Sequence, residues 1–261
     1  MDPTAVLALY DRFERREAEP VGRRVERTAH VVRQVGPPGR PSWVAWSDLT
    51  GKDVDAVIAA EVAYWTALGQ PTEWTVFGHD RPADLRERLA AAGFVIEAPE
   101  AVMAFDLRDE PPWLEAEAGH DVREHGVEGV DTVAAVMTAV WPEFVDEFVA
   151  RFGEEAAAAP ERTRFFVAYE DGAPVAAGWA QASGPATPFL GLWGGAVKPA
   201  CRGRGLYRAL VAARARHALA RETRYLTVDA GPMSRPILER LGFVQLTTAT
   251  PCNWRMARSE P

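Results

Sequence analysis

Lysine is almost missing from this chain: of its 29 Lys and Arg residues, only Lys52 and Lys198 are lysines. The basic charge is arginine, scattered, and outweighed by 37 Asp and Glu, which leaves a net charge of −8. No long basic stripe offsets the acids, so general nucleic-acid binding is not expected. Cysteine is nearly absent too. Cys201 and Cys252 cannot build a disulfide framework; a single bridge stays open, and two reduced thiols are the simpler expectation. No uninterrupted apolar run reaches the roughly 20 residues that span a bilayer, and Met1-Asp2-Pro3-Thr4 does not start a basic-then-apolar leader. These absences lead to the expectation of a soluble cytoplasmic protein, without membrane partner or metal. What is present is a 48 % apolar composition over 261 residues, enough for one large domain or two small ones.

The most informative stretch runs from Lys198 to Leu210. The apolar run Leu192-Trp-Gly-Gly-Ala-Val197 precedes it, and Leu206, Leu210, Ala213 and His217 recur at helical spacing after it. A strand, a glycine loop and a helix start are predicted. Gly203 and Gly205 leave backbone N–H groups uncovered, and the helix N-terminus aims at the same point, which suits a phosphate or pyrophosphate. Arg202 and Arg204 add charge for phosphate oxygens. Taken alone, Arg-Gly-Arg-Gly reads equally as an exposed turn or a nucleic-acid arm. A second cluster follows. Strand Tyr225–Asp229 leads through Ala230-Gly-Pro-Met-Ser234 into helix Arg235–Leu241, with Ser234 as N-cap, Pro236 in the first turn and Gly242 as the stop.

The two clusters together resemble the GNAT superfamily of N-acetyltransferases. That family's cofactor loop, Gln/Arg-x-x-Gly-x-Gly/Ala, is matched by Arg202 and Gly205, with Tyr207 in place of the usual small residue. Its later Leu-Gly-Phe is matched by Leu241-Gly242-Phe243. The resemblance covers Asp121 to the C-terminus. It implies acetyl-CoA as cosubstrate, held by Ala196, Val197, Arg202, Gly203, Arg204, Gly205, Leu206, Tyr207 and Ser234, and transfer of the acetyl group to a primary amine of a small molecule. It also implies an acceptor site capped near Trp141, with Trp193 as a second substrate contact. For any single one of Trp141, Phe144 and Phe148 the plainer reading is core fill, and for Glu143, Asp146 and Glu147 a solvated face.

The chain reads as two halves. The proline- and acid-rich stretch 109–119 marks a linker between 1–108 and 120–261. Glu73–Phe77 parallels Tyr225–Asp229, Leu85–Leu89 parallels Ile237–Leu241, and Gly-Phe-Val follows both helices. The expected fold is α/β (α+β): two GNAT-like domains, each with a central mixed, mostly antiparallel sheet flanked by helices. A monomer or homodimer is expected. The first half lacks the chemistry, since its corresponding loop, Ser47-Asp-Leu-Thr-Gly-Lys-Asp53, sets aspartates where an anion would sit. It is expected to be a degenerate copy without cofactor.

Acyl transfer needs a neutral amine, a stabilised oxyanion and a departing thiolate. Where the resemblance expects a basic glutamate the chain has Gly191, and where it expects a tyrosine acid it has Leu238. Asp229 is the remaining carboxylate near the cleft, as a weak catalytic candidate or as the cap of its own turn. Two classes therefore stand at this stage: an N-acetyltransferase with an unassigned acid and base, and a non-catalytic acyl-CoA-binding or sensing protein.

Overall fold

A computed structural model describes residues 1–116, 119–142 and 145–254, with the side chains of 116 and 145–151 left aside. The proposed aromatic and acidic positions Glu143, Phe144, Asp146, Glu147 and Phe148 lie outside the described residues or side chains. The strands are β1 (Arg24–Arg27), β2 (Val31–Val35), β3 (Ser42–Ser47), β4 (Thr72–Phe77), β5 (Val95–Ile96), β6 (Glu100–Asp106), β7 (Asp121–His125), β8 (Thr163–Glu170), β9 (Ala173–Gln181), β10 (Phe189–Val197), β11 (Tyr225–Ala230) and β12 (Val244–Trp254). The helices are α1 (Pro3–Tyr10), α2 (Val54–Leu68), α3 (Leu85–Ala91), α4 (Trp113–Ala116), α5 (Val130–Thr138), α6 (Val145–Ala158), α7 (Leu206–Ala220) and α8 (Arg235–Arg240). No helix among the described residues is long and apolar enough to cross a membrane.

The chain forms two units. One holds Thr4–Val102 and the segment beginning at Gln245; the other holds Met1–Pro3 and Met103–Val244. In the first, the strands run β1-β2-β3-β4-β12, with β5 on β12. In the second they run β6-β11-β10-β9-β8-β7. Both are mixed sheets of the expected kind. The outer strands pair antiparallel, and each sheet has a parallel pair, β3 with β4 and β10 with β11. A parallel pair cannot be joined by a tight turn and needs a crossover. The crossovers are α2 and α7, so β3-α2-β4 repeats the pattern of β10-α7-β11.

Alternation along the strands fixes the cores. In the first unit Val31, Val44, Trp65, Trp74, Leu85, Leu89 and Cys252 pack into one cluster. In the second, Val133, Val136, Phe165, Val167, Ala177, Trp179 and Ala196 join α5 and the α6 side to the sheet, with Trp141 and Phe152 packed against them. The buried face of α7 is wider than Leu206, Leu210, Ala213 and His217 suggest. It also takes in Ala209, Val211, Ala212, Ala215 and, unexpectedly, Arg214, whereas Ala213 and His217 are only half-buried.

Candidate active site

The second unit opens a cleft because two of its strands part company. The parallel register of β10 and β11 covers Phe189–Tyr225, Leu190–Leu226 and Gly191–Thr227 and goes no further. Both strands continue, β10 to Val197 and β11 to Ala230, so their backbones diverge from that point.

On its other side β10 is broken by a bulge. Its register with β9 shifts between Trp193 and Ala196, which leaves Gly194 and Gly195 outside the ladder, and Gly194 turns to φ +57°. Both positions demand glycine. A Cβ on Gly194 would collide with the Trp179 ring, and one on Gly195 would lie 2.6 Å from Cε2 of Tyr207. The bulge is thus pressed between Trp179, whose ring centroid lies 4.5 Å from that of Phe152 on α6, and Tyr207 from α7.

Beyond Val197 the chain makes a single turn at Pro199–Cys201 and extends at Arg202. It then passes two left-handed glycines, Gly203 at φ +79° and Gly205 at φ +84°, and enters α7 at Leu206. No side chain caps this helix start, so its first amides point outward unclaimed by a cap. A Cβ on Gly203 would meet nothing within 4 Å. The arginines are both exposed but tethered. Arg202 Nε donates to the Val197 carbonyl at 3.3 Å. Arg204 pairs with Glu170 at 2.8 Å and donates to the Ala200 carbonyl. The matching helix start in the first unit is closed: Asp53 caps α2, accepting from the Ala56 amide at 3.2 Å.

The floor of the bulge holds a group that sequence reasoning missed. Arg214 is only 1 % exposed. Its Nε donates to the Leu210 carbonyl at 3.0 Å, and Nη1 donates to the carbonyls of Trp179 and Trp193 at 3.3 Å each. Those last two carbonyls belong to the register pair Trp179–Trp193, next to the break in the β9–β10 ladder. Gly178 makes the room, since a Cβ on it would sit 3.1 Å from Nη1. Burial brings the Arg214 pKa down to about 10, partly offset by Tyr207. Burial raises the Tyr207 pKa, against the opposing pull of Arg214 and a hydrogen bond with Ser234.

Ser234 occupies the N-cap position of α8 but makes no side-chain cap there. Its hydroxyl donates to the Gly231 carbonyl at 3.3 Å. Pro236 and Gly242 take their expected places at the helix start and stop, Gly242 at φ +88°. Leu238 is fully buried, and Asp229 is half-buried one residue before β11 ends.

The opposite face of the sheet carries a carboxylate. Gln181 is the register partner of Gly191, and partners in an antiparallel pair project to the same side. The Gln181 Nε2 donates to Glu155 of α6 and to Thr163 at 3.2 Å each. Glu155 therefore stands on the face toward which a side chain at 191 would point. Trp193 shares that face: a Cβ on Gly191 would strike its Nε1. Trp193 is 40 % exposed, whereas Trp141 is half-buried against the core.

Residues 133–243 match the model of the "Acetyltransferase (GNAT) family". No curated protein matches the chain. Among solved structures, a GCN5-related N-acetyltransferase from Kribbella flavida aligns with TM-score 0.64 at 18 % identity, over 91 % of each chain. A tandem GNAT protein from the clavulanic acid biosynthesis pathway, without AcCoA, aligns with TM-score 0.61 at 15 % identity, over 94 % of this chain and 86 % of that one. A GCN5-related N-acetyltransferase from Sphaerobacter thermophilus aligns with TM-score 0.59 at 14 % identity, over 86 % of this chain and 80 % of that one.

Proposed function

We propose that this chain, whose residues 133–243 match the GNAT acetyltransferase family model, is an acetyl-CoA-dependent N-acetyltransferase that acts on a primary amine of a small molecule. The observation that carries this reading is the juxtaposition of an uncapped helix start at Gly205 with a cleft beginning where β10 and β11 stop pairing. The amides at Gly203–Tyr207, supported by Arg202 and Arg204, take the pyrophosphate; helix N-termini favour such anions. Ala196 and Val197 at the end of β10 run beside the pantetheine arm, and Ser234 lines the far wall. The bulge at Gly194 and Gly195 offers backbone donors to the thioester carbonyl as negative charge develops on it.

Much of the acceleration comes from holding amine and thioester together. The amine must attack as a neutral nucleophile. At pH 7 a lysine-like amine, with pKa near 10.4, costs about 4.6 kcal/mol to deprotonate, and one with pKa near 8 about 1.4. Weakly basic acceptors are therefore favoured if no carboxylate serves the site. Glu155 would widen that range as a base, since Gln181 holds its carboxylate on the face of Gly191. Asp229 has no comparable support for a catalytic part.

The first unit is proposed to keep the fold without the cofactor. Asp53 occupies the amide of the helix start that a pyrophosphate needs, and its charge repels one. Isothermal titration of the chain with acetyl-CoA tests both statements. One molecule bound per chain is expected. Two would overturn the reading of the first unit, and none would overturn the function.

A further inference from the structure

We propose that the cleft of the first unit is a guanidinium site, filled in the resting chain by its own Arg15, and that a free guanidinium ion binds there once that side chain is removed. Nothing in this cluster depends on acetyl transfer by the second unit.

The first unit opens its cleft as the second does. Parallel pairing of β3 with β4 covers Ser42–Thr72, Trp43–Glu73 and Val44–Trp74 and goes no further, although β3 runs to Ser47 and β4 to Phe77. A bulge accompanies the divergence here too. The β2–β3 register passes from Val32–Trp46 to Arg33–Val44, which leaves Ala45 outside the ladder. In the second unit the corresponding opening is the one assigned to the thioester. In the first a guanidinium spans it. Arg15 Nε donates to the Ala45 carbonyl at 3.2 Å, and Nη2 donates to both carboxylate oxygens of Asp80, at 3.0 and 2.8 Å. Ala45 belongs to β3 and Asp80 to the turn that leaves β4, so one side chain ties the two diverging strands together. Its guanidinium also lies over Phe77, the last residue of β4, with Cζ 3.8 Å from the ring centroid.

The acceptors are held in place for this cation. Asp80 Oδ2 accepts the Phe77 amide at 3.0 Å. Asp11 Oδ1 accepts from Arg15 Nη1 at 2.6 Å. Asp11 is fixed in turn by His79, whose Nε2 lies 2.8 Å from Asp11 Oδ2 and whose Nδ1 lies 3.0 Å from the Thr247 hydroxyl on β12. Arg15 is 2 % exposed and Asp80 9 %. Two carboxylates and a carbonyl thus converge on one guanidinium, with an aromatic face against it. A forked carboxylate contact combined with stacking is what a planar, delocalised cation satisfies and a compact ammonium does not.

The chain widens a helix to deliver this arginine. Beyond α1 the backbone continues as a π-helix over Asp11–Arg16, closed by the Glu17 amide on the Arg12 carbonyl at 2.7 Å. Such turns are rare and gather at functional positions. This one sets Asp11 and Arg15 side by side, so the same segment supplies both a wall of the site and its occupant. Removing the arginine leaves the carboxylates facing an emptied cleft, and a buried charge without its partner is costly. A small cation that restores the hydrogen bonds recovers that loss. It has a way in, because Asp11 and His79 at the edge of the cluster are only half-buried.

Methylguanidinium chloride titrated into the whole chain tests the site. Arg15→Ala should lower the unfolding midpoint by about 10 °C. Methylguanidinium at millimolar concentrations, far below denaturing ones, should raise it again in a saturable way and recover about half of the loss or more. Calorimetry should find one ion bound per Arg15→Ala chain and none per wild-type chain, whose site is filled. Ammonium chloride at the same ionic strength should recover little, because it lacks the planar fork. Adding Asp80→Asn to Arg15→Ala should weaken methylguanidinium binding by about tenfold or more. If Arg15→Ala does not fold alone, folding induced by methylguanidinium, followed by circular dichroism, is the corresponding result. An ion pair of purely structural value would show neither saturation nor preference for the planar ion. An equal response in wild type and Arg15→Ala, equal recovery with ammonium, or a variant that neither binds nor folds at any concentration of methylguanidinium would overturn the assignment.

Discussion

Replacing Gly205 tests the cofactor loop most directly, because a neighbouring glycine provides its own control. Gly203 and Gly205 share the left-handed backbone, at φ +79° and +84°, so each substitution carries a similar strain of about 1–2 kcal/mol. They differ in position. Gly205 is the N-cap of α7, and the methyl groups introduced by Gly205→Val would crowd the first amides of the helix. Gly203 faces open space, with nothing within 4 Å of a Cβ. If the pyrophosphate sits on those amides, Gly205→Val loses one or two charge-assisted hydrogen bonds of about 1.5–3 kcal/mol each. A loss of about 3 kcal/mol raises the Kd roughly 150-fold. Gly203→Ala adds a single methyl and leaves every amide of the loop in place; its strain is common to the free and bound states, so Kd should rise far less than in Gly205→Val. Calorimetry with acetyl-CoA measures both, and melting curves check folding: each variant should lose about 2–4 °C per kcal/mol of strain. Equal affinity in Gly205→Val and wild type would refute the loop as the pyrophosphate site.

Glu155→Gln should lower kcat/KM for strongly basic alkyl amines by about tenfold or more while sparing weakly basic ones, a contrast visible across an amine panel; a uniform effect would remove Glu155 from the proton path. Asp106 gives an acid-stability test. Burial would raise its pKa, but hydrogen bonds from Arg108 and Arg224 bring it down to about 2, so its contribution is whole above the unfolded value near 4 and fades as pH falls toward 2. Asp106→Asn should cost about 2 kcal/mol at neutral pH and flatten that acid limb in urea titrations; an unchanged midpoint would deny the carboxylate this part.

The loop and its crossover were legible because the signals are local. Two glycines, a strand before and an apolar period after them specify a strand–loop–helix without tertiary information. The same holds for Pro236 and Gly242 around α8. The wall of the site was not legible in this way. Arg214 sits in Arg-Ala-Arg on a helix rich in arginine, and nothing near it in sequence separates a buried guanidinium from an exposed one. Its signal is split between Arg214 and Gly178, the residue that vacates its space, and the two are joined only by folding. Glu155 was hidden differently: a search along β10 finds Gly191, but the carboxylate comes from α6 through Gln181.

The same distinction separates the two parallel crossovers. β3-α2-β4 and β10-α7-β11 have equivalent pairings, and both sheets bury their strands against their own cores. Backbone pairing and apolar alternation are therefore compatible with either chemistry. What differs is the residue at each helix start. At α2 it is Asp53, whose carboxylate satisfies an amide that would otherwise need a partner, and the fold gains about 1 kcal/mol from such a cap. At α7 it is Gly205, which satisfies none and adopts a backbone that other residues resist. The second unit forgoes that cap energy, and beneath its double-glycine bulge it buries a guanidinium that, among the described residues, donates to backbone carbonyls. Departures from local stability that converge on one cleft are what an active site requires. The first unit has the same strand-helix-strand scaffold without the uncapped helix start, and its stability at that helix start is correspondingly better served.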